Sequence, residues 1–197
     1  LSLVGSEMCI RDRVMKMADG GFRPAQNVQF ATDTESQVIT GVAVINMGSD
    51  QGQMPPMTEQ HQDRYGKVPE ETLVDGGFAK KDDIETVESP ELGTTVYAPV
   101  QKPKTPDRGP YEPRKGDSET IARWRQRMGT PQAQQIYKER ASTAECVNAI
   151  SRNRGLRQFV VRGLVKVTAV VLWYALAHNL MRAVTLRAQA ARVACGS

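Results

Sequence analysis

Thirty residues constrain the architecture more than any other part of the chain. In "ETLVDGGFAKKDD" (71–83) the apolar triplet Thr72-Leu73-Val74 stops at an acid and two glycines, and a charged helical pattern follows over about 80–88. The β-branched stretch "TTVYAPV" (94–100) closes the segment. A strand, a helix and a strand in so short a space read as a β–α–β unit, with parallel strands and a right-handed crossover. Ligand chemistry in such sheets gathers at the carboxyl ends of strands, which is where Asp75 falls. Taken alone, Asp75-Gly76 is also common turn chemistry closing a strand.

Around this unit the patterns have a readable order. "AQNVQFATD" (25–33) and "QVITGVAVIN" (37–46) are strands joined by a turn at "TDTES", so the pair is expected to form a hairpin. Ser49 and Asp50 form an N-cap region for the helical "QGQMPPMTEQHQDRYG", whose Pro55 and Pro56 are tolerated near its start. Residues 101–117, rich in Pro, Lys and Arg, have little to bury and read as a flexible insertion. Helical patterning returns at about 118–128, runs from 131 to Gly155, and ends in a long helix near 160–190 with a buried apolar face. The expected whole is an α/β fold in which hairpin and β–α–β unit share one mixed sheet closed by flanking C-terminal helices.

At 197 residues and 40% hydrophobic content, the chain suits one domain with a real core. Its net charge of +4 hides a split: residues 1–100 carry 8 Lys and Arg against 16 Asp and Glu, and residues 101–197 carry 18 against 6. A basic half suits a polyanionic partner, although basic helices are also simply solvated. Cys9, Cys146 and Cys195 lie far apart, and His61 and His178 share no ligand spacing, so neither a zinc site nor a disulfide framework is expected and a reducing compartment fits. The apolar run "TAVVLWYALA" (168–177) falls short of a membrane span and is flanked by Lys166 and Arg182, so it reads as a buried helix. A surface anchor for membranes is set aside; liposome co-sedimentation tests it.

Residues 1–13 stand apart. "LVGSEMCIRDR" (3–13) resembles the translation of a transposon-end adapter used in sequencing libraries, and no apolar stretch of adequate length makes it a signal peptide. Native protein is therefore expected to begin near Arg13 or Val14, with one partial domain over 14–190 and a tail at 191–197.

"RPAQNVQFATD", "GSDQGQM", "LVDGGF", "YKERASTAE" and "RGLVKVTAVVLWYALAHNL", in that order, resemble the DDE transposase domain of bacterial insertion sequences over about residues 14–182. The resemblance implies a ribonuclease-H-like fold, truncated here before its first strand. It implies a centre of three carboxylates that hold Mg²⁺ or Mn²⁺ ions for phosphoryl transfer, typically about 3.5–4 Å apart. Two of the three are assigned: Asp75, in the "DGGF" string at a strand end, and Glu145, on a helix in "YKERASTAE". Tyr137, Arg140, Glu145 and Arg152 approach the family's Y-R-E-K signature, with a longer Arg-to-Glu gap and Arg in place of the final Lys.

Hard carboxylate oxygens on a rigid strand end and helix suit such ions. Gly76 and Gly77 let the backbone turn away and leave room beside them. Tyr137, Arg140, Arg152 and Arg154 would contact DNA, Arg residues being apt phosphate clamps. By residue type alone, Glu145 reads as a solvated helical glutamate. Tyr137 and Trp124 either stack on a base or pack, packing being favoured. Asp33, Asp50 and the pair Asp82 and Asp83 read as turn, cap and exposed helix face.

The resemblance implies an enzyme that nicks and joins DNA at element ends and target, acting as a homo-oligomer in the bacterial cytoplasm with no membrane. Because the family's first Asp lies upstream of the hairpin, the chain as written is expected to be inactive. The rival reading is a non-catalytic DNA-binding remnant that works through the basic half.

Overall fold

The computed structural model describes residues 14–16, 20–103, 109–140, 143, 146–156 and 158–195. Its contacts divide the chain into two compact units, residues 1–48 with 143–197, and residues 49–142.

In the first unit, β1 (Val14–Lys16) pairs antiparallel with β2 (Phe22–Pro24), and β3 (Asn27–Thr32) with β4 (Ile39–Ile45), the latter being the expected hairpin. Its turn is built by Asp33, whose Oδ2 accepts from the Ser36 amide at 2.7 Å and hydroxyl at 2.5 Å. That is the local Asx chemistry expected of this residue. Gln37 follows at φ 58°, an uncommon conformation for a side-chain-bearing residue. Helix α5 (Cys146–Asn153) precedes the long α6 (Leu164–Cys195). Val167, Val171 and Ala175, at helical spacing on α6, bury against Ile39, Val42 and Val44 of β4, with Val147 of α5 in the same cluster.

Polar side chains of α6 fasten the hairpin. His178 Nε2 meets the Gln37 carbonyl at 2.9 Å, and Arg182 Nε donates to the Ser36 carbonyl at 2.9 Å. Asn179 completes Ile39 on both sides: its Oδ1 accepts from the Ile39 amide and its Nδ2 donates to the Ile39 carbonyl, each at 2.8 Å. Asn179→Ala leaves a buried N–H and C=O without these partners, and we expect a loss of about 1–3 kcal/mol in urea unfolding. A loss below a few tenths would show that water substitutes freely.

By length and composition α6 can cross a membrane, with a mean hydropathy of 1.4 in its most apolar window. The ten-residue run weighed in the sequence therefore understated the helix, because apolar residues continue on either side of it. One face is used on β4, while Leu172, Trp173, Leu176 and Leu180 are exposed.

The second unit holds α1 (Met54–Tyr65), β5 (Glu71–Leu73), α2 (Lys81–Val87), β6 (Thr95–Tyr97), α3 (Glu119–Met128) and α4 (Pro131–Arg140). β5 and β6 are parallel, joined through α2 as the strand–helix–strand pattern predicts. Ile84 and Val87 of α2, Val96 and Ala98 at β6, and Ile121, Trp124 and Met128 of α3 form its core. Trp124 is thus a packing residue.

The strands pair as three two-stranded sheets, so the expected single mixed sheet does not form among the described residues. Two carboxylates also differ from expectation. Asp83, read as exposed, is buried, and its Oδ2 accepts from the Gly52 amide at 2.6 Å. Asp50, read as a cap, is not one: the N-cap of α1 is Gln53, with no side-chain cap bond. Asp117, which ends the Pro-rich stretch, is buried against Lys81 and Arg125. Residues 104–108 of that stretch lie outside the described residues.

Candidate functional site

The local folding of residues 71–79 makes Asp75 both a turn residue and a presented carboxylate. Val74 extends the parallel pairing through its amide to the Tyr97 carbonyl at 3.0 Å, and the chain then reverses as Phe78 and Ala79 bond back to the carbonyls of Asp75 and Gly76. Asp75 Oδ1 accepts from the Gly77 amide at 2.8 Å, which fixes the carboxylate at the carboxyl end of β5. The two readings of the sequence do not compete, since the bond that makes the turn also orients the acid.

Gly77 matters for what surrounds it. A Cβ built there would lie 3.0 Å from Asp75 Oδ1 and 2.9 Å from Asp50 Oδ2. Two carboxylates therefore share the space a side chain would take. Gly76 has only an ordinary contact with Pro99 at 3.5 Å, so the room expected from the glycine pair comes from Gly77.

Tyr137 and Arg140, on successive positions of one face of α4, belong to the same unit as Asp75. The Tyr137 ring is half-buried and packs on the core, and the Arg140 guanidinium lies 5.7 Å from its centroid, within cation–π range. Burial pushes the Tyr137 hydroxyl above its ordinary value; Arg140 pulls against that, and the Asp75 charge adds to the rise. Asp75 and Arg140 both act on this ring.

Arg152 on α5 and Arg154 just beyond it are exposed in the other unit. The Arg154 carbonyl accepts from the Tyr174 hydroxyl at 3.1 Å. Glu145 lies outside the described residues. Among the described residues, no three His, Cys, Asp or Glu side chains gather as metal ligands would. Sequence reasoning overlooked the approach of Asp50 to Asp75, whose only trace in the sequence is an acid between small residues in "GSDQG".

Residues 110–184 match the family described as Transposase DDE domain. The matched stretch covers α3, α4, α5 and much of α6, and includes Tyr137, Arg140, Glu145, Arg152 and Arg154; Asp75 precedes it. No curated protein and no solved structure matches the chain.

Proposed function

We propose that this chain, a DDE-type transposase by its residues 110–184, is a piece of a ribonuclease-H-like catalytic domain that cuts DNA at insertion-sequence ends and joins them to a target. The observation that carries the reading is Asp75, held at the carboxyl end of a parallel strand in the same unit as Tyr137 and Arg140.

Asp75 and Glu145 would hold the metal, their hard oxygens suiting Mg²⁺ or Mn²⁺. When bound, such an ion polarises a phosphoryl oxygen and activates an attacking water or hydroxyl. The chain's own groups do the rest. The Gly77 amide keeps Asp75 in one orientation. Arg140, steadied over Tyr137, offers two parallel N–H groups to the non-bridging oxygens of a phosphate. Arg152 and Arg154 neutralise neighbouring phosphates, which makes affinity fall with salt. In the first step a water oxygen bonds to phosphorus and the strand's 3′-oxygen leaves; in the second, that 3′-hydroxyl attacks a target phosphate and displaces its 3′-oxygen. The active assembly is a cytoplasmic homo-oligomer on DNA.

The test is nicking of a supercoiled plasmid carrying the element's ends, by the chain extended upstream through a strand that supplies the first Asp. We expect nicked circles with Mg²⁺ and none with EDTA. Salt-sensitive DNA binding with no nicking under any metal condition would leave the non-catalytic remnant as the surviving reading.

A further inference from the structure

We propose that α6 pairs antiparallel with α6 of a second copy of this chain, through the apolar stripe that its contact with β4 leaves free. The inference goes beyond the transposase reading, to whose oligomer it supplies an interface, and the observations that carry it lie in α6 alone.

No Asp, Glu, Lys or Arg stands between Lys166 and Arg182, so about four turns of α6 are free of such charges on every side. A helix that is apolar all round is a buried one. Val167, Val171 and Ala175 meet β4, whereas Val165, Trp173, Leu180 and Val184 are 60–70% exposed. With Ala169 and Leu176, which are exposed too, these four form one stripe. Its steps of 4, 4, 3, 4 and 4 residues follow an 11-residue repeat, about 3.67 residues per turn, which keeps the stripe on one side of a nearly straight helix. His178, Asn179 and Arg182 bond to the hairpin on the other side, so lipid cannot surround the helix while β4 stays in place.

Two features select a second copy as the occupant. The spacing reads the same from either end, so an antiparallel two-fold pair sets Val165 against the partner's Val184, Ala169 against the partner's Leu180 and Trp173 against the partner's Leu176, each contact occurring twice. In addition, Ala169, Leu172, Trp173 and Leu176 line a shallow apolar hollow on α6, and the small residue at 169 leaves it open where the partner's Leu180 arrives as a knob. From Val165 to Val184 the stripe runs about 28 Å along a helix about 10–12 Å wide, roughly 300 Å² per copy, where a standard stable interface takes about 800 Å² per partner. The pair is therefore weak and reversible. Its charges fall at the ends, where the partner's Arg187 approaches the exposed Arg162 and Lys166, and α6 carries no acid to offset them. Salt screens that repulsion, so pairing should tighten as salt rises.

Sedimentation velocity of the full chain between about 1 μM and 1 mM tests the proposal, with tryptophan emission recorded alongside. Of the two tryptophans, Trp124 is 4% exposed in the core of the other unit, so a blue shift with concentration reports Trp173. We expect a monomer–dimer equilibrium favoured by salt and accompanied by that shift. Ala169→Lys and Leu180→Asp should each weaken pairing about tenfold or more, with an unchanged circular dichroism spectrum, because each sets an unpaired charge in the contact. An equimolar mixture of the two variants should recover it: the heterodimer opposes the introduced lysine and aspartate at one contact and keeps Ala169 against Leu180 at the other. Met181→Asp, exposed beside the stripe, should pair as the parent does. A parent chain that stays monomeric at every concentration and salt, or dimers that survive Leu180→Asp, would overturn the proposal, and a mixture that recovers nothing would overturn the antiparallel arrangement. A monomer whose Trp173 emission shifts only on phosphatidylglycerol vesicles would give this face to lipid instead. Plasmid nicking by the extended chain decides the transposase reading separately from all of these.

Discussion

Asp75→Asn is expected to lower Mg²⁺-dependent nicking by the extended protein about 10³-fold. A metal ion contributes several kcal/mol of transition-state stabilisation, and each 1.36 kcal/mol is tenfold in rate. Asparagine retains the shape and the oxygen that accepts from the Gly77 amide, so the turn survives while the ligand charge is lost. Stability should stay within about 0.5 kcal/mol of the parent, as for substitutions that bury and orphan nothing. Glu145→Gln should match it in rate. Nicking that persists within tenfold of the parent in Asp75→Asn would remove this residue from the reaction. A large loss of stability would instead assign Asp75 to the turn alone.

Asp117→Ala carries the largest expected effect on stability. The Asp117 side chain is 1% exposed, and its oxygens accept from Lys81 Nζ at 2.6 Å, Arg125 Nε at 2.7 Å and the Arg114 amide at 2.9 Å. Arg125 is itself 4% exposed at its side chain. Deleting the carboxylate leaves that guanidinium buried without its partner, which costs about 3–5 kcal/mol.

The same group makes the difference pH-dependent. Burial pushes the Asp117 carboxyl up, but hydrogen bonds from Lys81, the Arg114 amide and Arg125, with the Arg125 charge, bring it from 3.8 down to about 2. A depressed folded-state value means that the stabilisation is complete above about pH 4 and is lost as pH falls through about 2. The gap between parent and Asp117→Ala in urea unfolding should therefore narrow by about 2 kcal/mol between pH 5 and pH 2. A gap that stayed constant over this range would show that the Asp117 charge is not what holds α2 and α3 together.

The elements that were legible in the sequence are those whose cause is local. The parallel β5–α2–β6 unit follows from an apolar triplet, a charged helix and a β-branched run within thirty residues. The β3–β4 hairpin follows from two alternating stretches around an Asp that bonds three residues ahead. Asp75 at its strand end was equally readable, because the bond to Gly77 spans only two residues.

What the tertiary structure decided concerns partners far apart in the chain. Asp50, Asp82 and Asp83 look alike by neighbourhood, yet Asp83 is buried on the Gly52 amide, Asp82 remains exposed, and Asp50 meets Asp75 at Gly77. A basic, proline-rich stretch looks solvated until its last residue is found bonded to Lys81, 36 positions away. Nor does helical periodicity reveal that Asn179 completes Ile39 across 140 residues. Local sequence determines where strands, helices and turns arise, since propensity and spacing act over a few bonds. Whether a charged or polar side chain is exposed, paired or set beside another acid depends on which distant backbone donors packing brings within 3 Å, and only the folded chain contains that information.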